Sequence, residues 1–403
     1  MTDERRAFVG RVIDPAVRPF SAPLCCLAYN RSLPYGKLPG MSIKPLPLKE
    51  SPPRRPQSVP LPLKASLAML AIAVTLCGTL LGTRAWWNWQ AIREIERVGG
   101  AFDSEPRGPD FLRNLAGDKR NLAGGKVMVA FDDITVVHLN GTQITDAGLV
   151  HLSGLKNLTM LKLSGPLISD AGLAHLDGLQ NLKSLELKNT HTTDAGLAHL
   201  AGLKNLEDLD LRGTQITDAA LVHLAGLPKL NRLYLAGTQI TDTGVPQLAG
   251  WTNLTELDLS DTRLTDAALE HLAGLMKLDR LGVGGTRITD AGLPTLSGLE
   301  NLKELYLNDT QVTDEGLVHL AGYQKLSTVN LKGTWITDAG LAHLVGLKDL
   351  NRLILIRTQV TDAGLAQLAG LKNLKILYLE DTQVTEDGVT ELKRTLPNVD
   401  ISR

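Results

Sequence analysis

The sequence predicts an α/β solenoid: a curved, horseshoe-like stack of like units, with parallel strands on the concave face and helices on the convex face. One transmembrane helix and a disordered N-terminal segment precede it. Three observations predict this arrangement. An aspartate recurs every 24 residues from Asp146 to Asp362, and Glu386 takes the next place. Leucine fills 76 of 403 positions while aromatic residues make up only 4%, so the core is built from aliphatic side chains on a repeated plan. Charge is also segregated. Residues 1–64 hold 11 basic and 4 acidic side chains, whereas residues 65–403 hold 31 and 39, and the chain total of −1 hides the difference.

Residues 1–63 hold 12 of the 19 prolines, in runs such as Lys44-Pro-Leu-Pro-Leu. Proline fixes φ and lacks an N–H, so a basic, extended and disordered tether is expected. Met41 is an alternative start. Residues 64–89 are read as the transmembrane helix with its tryptophan belt. Residues 65–83 carry no charge, lie between Lys64 and Arg84, and are followed by Trp86, Trp87 and Trp89. As a helix they would span about 28 Å, near the thickness of a bilayer core. The excess of Lys and Arg before the span places the N-terminus in the cytoplasm and the repeats outside it. Residues 90–135 form a linker and N-terminal cap, with a short helix ending at Gly99-Gly100 and another expected from Gly108.

Residues 136–403 are the array, with eleven units and a closing half-unit. In one unit, Leu185-Glu-Leu187 alternates as a half-buried strand, Thr190 and Thr193 form a corner, and Asp194 is expected to cap a helix. Leu197, Leu200 and Leu203 form that helix's inner stripe, and Gly202 releases the chain. No unit buries its apolar face alone, so the units stack. Gly148 and its equivalents are glycine in nine units of eleven, with Ala220 and Ala268 in the others. A small residue there is expected to bring helix close to sheet. Val399-Asp-Ile401 is expected to add a last strand, two residues early.

The pattern L-x-x-L-x-L-x-x-T-x-I/V-T-D-A-G-L-x-x-L-x-x-L resembles the leucine-rich repeat family, in its 24-residue ribonuclease-inhibitor-like and GALA-type forms. Threonine stands where the family usually has Asn or Cys after the strand. The layout with Arg93-Glu-Ile-Glu-Arg-Val-Gly-Gly and Gly108-Pro-Asp-Phe-Leu-Arg is similar to bacterial single-pass, membrane-anchored leucine-rich repeat proteins. That resemblance implies an inner-membrane protein.

The array offers no enzyme motif, and no cofactor is expected. His151, His175, His199, His223, His271, His319 and His343 recur at one helix position. Zinc needs three or four ligands converging at about 2 Å, and stacked helices lie 8–10 Å apart, so no metal is expected. The three cysteines all precede residue 78, which excludes a disulfide scaffold. The acidic body argues against nucleic acid.

Function is therefore expected on the strand face. Alternation exposes two patches there. One is acidic: Glu186, Asp208, Asp210, Glu256 and Asp258. The other is apolar: Ile354, Ile356, Ile376 and Tyr378, with Tyr306 nearby and Trp335 at a corner beside it. Exposed Trp, Tyr and Ile together suit an interface hot spot. The expected role is a membrane-anchored module that binds a protein or peptide on this face. Two alternatives are a substrate-selecting or targeting subunit of an enzyme complex, as in ubiquitin-ligase receptors, and a self-associating architectural protein.

Overall fold

A computed structural model describes residues 83–105 and 133–403. The expected disordered segment 1–63, the apolar stretch 65–82 and the expected helix from Gly108 lie outside these residues.

Thirteen strands form one sheet in chain order. They are β1 (Ala101–Glu105), β2 (Asp133–Leu139), β3 (Met160–Ser164), β4 (Ser184–Lys188), β5 (Asp208–Asp210), β6 (Arg232–Tyr234) and β7 (Glu256–Asp258). After these come β8 (Arg280–Gly282), β9 (Glu304–Tyr306), β10 (Thr328–Asn330), β11 (Arg352–Ile354), β12 (Ile376–Tyr378) and β13 (Asp400–Ser402). From β2 onward every pair is parallel, and each residue lies beside the one 24 positions later, as with Leu161 and Leu185. The last strand keeps this register too. Ile401 pairs with Leu377, so β13 does not arrive early.

The leucine columns are fully buried and continuous through the array. Trp251 and Tyr323, which replace leucines in one column, join this core. The inner stripe falls at i, i+3 and i+6, which is the period of a 3₁₀ helix. Accordingly five of the eleven units show an α segment followed by 3₁₀, as in Asp194–Leu197 and then Ala198–Leu200. Where Pro246 and Pro294 enter, the segment is 3₁₀ throughout.

The aspartate column does not act as the helix cap. Each of Asp146 to Asp362 reaches the next unit instead. Its Oδ1 accepts the backbone N–H of the Ser or Thr 23 residues on, at 2.7–2.8 Å, and its Oδ2 accepts that residue's hydroxyl. The hydroxyl has one proton, and a carboxylate only accepts, so the proton goes to Asp. In every one of these but Thr193 the same oxygen then accepts from the first turn of its own helix, as Thr361 does from Ala363 and Thr385 from Gly388. Ser or Thr is the cap, and Asp ties the caps into a chain. The glycine in most of these helices fits this, and alanine is the largest side chain found there. A Cβ at Gly172, Gly244 or Gly340 would collide with the Oδ1 of Asp146, Asp218 or Asp314.

The threonines after the strands turn inward. In ten units their hydroxyls donate to the carbonyl three residues back, at 2.5–2.8 Å. One residue before each, the backbone is left-handed in all eleven units, with Gly at six positions and Asn189, Asp261, Asp309, Arg357 and Asp381 at the rest. Gly, Asn and Asp tolerate this region, whereas Arg rarely does. Arg357 is held there by an ion pair to Asp309, two units away at 2.6 Å. A side chain at Gly333, between them, would block it.

The transmembrane part of the expected fold is corrected. No helix among the described residues is long and apolar enough to cross a membrane. The localisation drawn from it, a single-pass protein with cytoplasmic N-terminus and extracytoplasmic repeats, is corrected with it. The helical residues 83–97 are amphipathic. Ala91, Ile92 and Ile95 are buried in the core, while Arg93, Glu96 and Arg97 are exposed. The tryptophans do not form a uniform belt: Trp87 lies against Gly154 of the first unit, and Trp89 stacks beneath Arg93. This helix and β1, antiparallel to β2, close the first unit.

The last tie gives a pH prediction. Hydrogen bonds from the Thr385 hydroxyl and N–H hold the Asp362 carboxyl below the usual carboxylate range. A depressed folded value means that the stabilisation is complete above the unfolded value and is lost as pH falls through the folded one. Hydrogen exchange at the helix Glu386–Thr395 is therefore expected to speed up, relative to the rest of the array, on acidification below about pH 4. Asp362→Asn should remove that pH dependence. Protection that stays constant to the bottom of the range would refute it.

Candidate functional site

The parallel ladder fixes every strand-face Cα beside its neighbours, so outward side chains form rows across the units. One row reads Asp210, Tyr234, Asp258, Gly282, Tyr306, Asn330, Ile354, Tyr378. Beside it runs the row of Asp208, Arg232, Glu256, Arg280, Glu304, Thr328, Arg352 and Ile376.

The acidic stretch is mostly paired within these rows. Arg232 meets Asp208 at 3.1 Å. Arg212 forks onto both oxygens of Asp210. Glu256 accepts the Tyr234 hydroxyl at 2.6 Å and lies 3.5 Å from Arg280. Glu186 accepts from the Asn140 amide. Asp258 differs. It accepts the backbone N–H of Ser260 at 3.1 Å and has no ion pair among the described residues.

Arg280 is the hub of the middle units. It donates to Glu304 at 2.7 Å and to the Tyr306 hydroxyl at 3.0 Å, and that hydroxyl donates to Glu304 at 2.8 Å. Burial opposes the charge of Arg280, but its bond to Glu304 and the nearby negative groups outweigh this and raise its pKa. Burial, then the bond to Glu256, pushes the Tyr234 hydroxyl up. Burial, then the bond to Glu304, does the same for Tyr306. Both phenols therefore stay protonated donors. Three guanidinium groups lie over tyrosine rings: Arg212 over Tyr234 at 5.1 Å, Arg280 over Tyr306 at 5.4 Å and Arg352 over Tyr378 at 6.0 Å.

The apolar patch is contiguous where the register allows. Ile354 lies beside Tyr378, and Ile376 beside Arg352. Ile354, Ile356, Ile376 and Tyr378 are half-buried. Trp335 is 61% exposed and lies off these rows, past the corner, where it bridges to Thr313. Tyr306 belongs to the Arg280 hub.

Sequence rows alone do not single out one feature. Gly282 is the only glycine in its row, and it leaves a gap between Asp258 and Tyr306. A cavity of about 230 Å³ opens there, lined by Arg212, Tyr234, Asp258, Ser260, Arg280, Gly282, Tyr306 and Asn308. The glycine was the available signal. Arg212, Ser260 and Asn308 stand two residues beyond the main row and join it only through the turn. Among the described residues, no three His, Cys, Asp or Glu side chains converge as metal ligands would.

A stacked parallel sheet with buried leucine columns and a polar, arginine- and tyrosine-rich strand face defines a leucine-rich repeat protein. The chain belongs to the Leucine-rich repeat region family, which it matches over residues 137–396. Such folds generally mediate protein–protein interaction, and family members are typically not enzymes. No curated protein matches the sequence. Among solved structures it is similar to an internalin, inlF, of Listeria monocytogenes, with 20% identity, 73% of this chain and 93% of that one covered, and a TM-score of 0.46. It is also similar to internalin C2 of the same organism, with 31% identity, 54% and 84% covered, and a TM-score of 0.40. A third is a leucine-rich repeat protein of Leptospira interrogans, with 19% identity, 63% and 80% covered, and a TM-score of 0.39.

Proposed function

We propose that this protein binds a protein or peptide partner on its strand face. The observation that carries the reading is the set of three arginine–tyrosine stacks on β5–β12, flanked by Ile354, Ile356 and Ile376. Arg and Tyr are the residue types over-represented at binding hot spots, and a side chain already held by a stack loses little freedom on binding. The isoleucines supply apolar area beside Tyr378, and Trp335 a contact at the rim.

A photo-crosslinking amino acid at position 354 should capture a defined partner, and one at position 222, exposed on the helix side, should not. Capture from 354 is expected to fall at least about tenfold when Tyr306 and Tyr378 are both changed to alanine, with the thermal transition kept. The same adducts from both positions would refute the reading.

A further inference from the structure

We propose that the gap over Gly282 is a receptor for one basic side chain, Lys or Arg, presented by the bound partner. This rests on the partner-binding reading above and names the chemistry of one of its contacts.

Three observations converge on it. The first is shape. Along the row Tyr234, Asp258, Gly282, Tyr306, one side chain is missing between a carboxylate and an aromatic ring. A Cβ at Gly282 would collide with Oδ1 of Asp258, so the carboxylate leans over the glycine. The cavity, about 230 Å³, is smaller than the pockets of 300–1,000 Å³ that hold drug-sized ligands, and suits a single side chain.

The second is charge. Arg212 and Arg280 line the gap but are engaged, the first by Asp210 and the second by Glu256 and Glu304. Counting these with Asp258, two guanidinium groups face four carboxylates. Asp258 is the one among them with no cation within ion-pair distance among the described residues. An anion entering here would have to displace bonds already made, whereas a cation completes the set.

The third is the wall. Tyr234 and Tyr306 bracket the gap, and their hydroxyls are committed as donors to Glu256 and Glu304. Arg212 and Arg280 already lie over these rings, so the rings confine an entering side chain and the Asp258 carboxylate is the group left to take its charge.

The test uses the full chain and three probes: N-acetyl-arginine methylamide, N-acetyl-lysine methylamide and N-acetyl-glutamate methylamide, followed by ligand-detected saturation-transfer NMR. The two basic probes are expected to bind in the millimolar range, and the acidic one not. Asp258→Asn, which keeps the shape, should weaken the basic probes about three- to tenfold. Gly282→Leu, which fills the gap, should abolish the signal, and Glu391→Gln, on the closing helix away from the strand face, should leave it unchanged. No signal from either basic probe up to about 10 mM, preference for the glutamate probe, or equal binding by Asp258→Asn would overturn the proposal. Crosslinking from position 354 reads the partner-binding claim separately. Capture that persists while the basic probes fail would reject the receptor and leave the strand-face reading intact.

Discussion

Replacing Asp218 with alanine is expected to lower the unfolding free energy of the array by about 2–3 kcal/mol. This aspartate makes more bonds than the others in its column. Its Oδ1 accepts the Thr241 N–H at 2.8 Å, and its Oδ2 accepts the hydroxyls of both Thr241 and Thr243 at 2.6 Å. Alanine removes all three and leaves the part-buried Thr241 N–H without its acceptor. Asn keeps one acceptor oxygen for that N–H but offers an amide where the hydroxyls donate, so Asp218→Asn should cost about half as much. Urea unfolding followed by circular dichroism measures both. A loss for Asp218→Ala within about 0.5 kcal/mol of zero would mean that the aspartate column is surface decoration.

The second large effect is expected in the core. Leu257 of β7 is fully buried and lies in register between Leu233 and Leu281. Leu257→Ala should destabilise by about 2–5 kcal/mol, the lost transfer energy plus the cavity left in a stack that cannot close it without breaking register. Stability in a repeat array is a sum over units and their shared faces. Hydrogen exchange should therefore rise most in the flanking units Arg232–Tyr234 and Arg280–Gly282. Trp335→Ala, on an exposed side chain, serves as the contrast and should move stability by less than about 0.5 kcal/mol. Equal effects of the two substitutions would contradict the assignment of core and surface.

Much of the array was legible in the residues themselves. A 24-residue period requires one strand per unit and a 24-residue register, because any other pairing would turn the leucines of one unit out of the column of the next. Alternation in Leu185-Glu-Leu187 and its equivalents shows which side chains face outward. Local polar geometry was not legible in the same way. An Asp at the head of a helix reads as a cap, yet the preceding Ser or Thr takes that role, because the Asp reaches the next unit's hydroxyl and N–H. No spacing within one unit shows a bond to a residue 23 positions on. The left-handed corner was equally hidden. Arg357 and Asp381 share a position with six glycines, and only backbone angles unite them.

The candidate site divides in the same way. Tyr306, Ile354, Ile376 and Tyr378 follow from alternation alone. The pairing of Asp208, Asp210 and Glu256 with Arg232, Arg212 and Tyr234 does not, since it depends on which rotamers reach across 4.8 Å between strands. An acidic run in the sequence thus became a mostly engaged network, with Asp258 as its member without an ion pair among the described residues, beside a gap that a single glycine leaves. The apolar stretch 65–83 shows the converse. Composition suggested a span, whereas among the described residues no helix is long and apolar enough to cross a membrane, and residues 83–97 form a one-sided helix that packs on the first unit.

By itself, the sequence determined the repeat, its length, the leucine core and the outward rows, because burial with a fixed period leaves a single register. The tertiary structure decided which polar groups spend their bonds on one another and which remain for a partner. That choice rests on distances of about 3 Å between residues 22 to 48 positions apart, which no local pattern encodes.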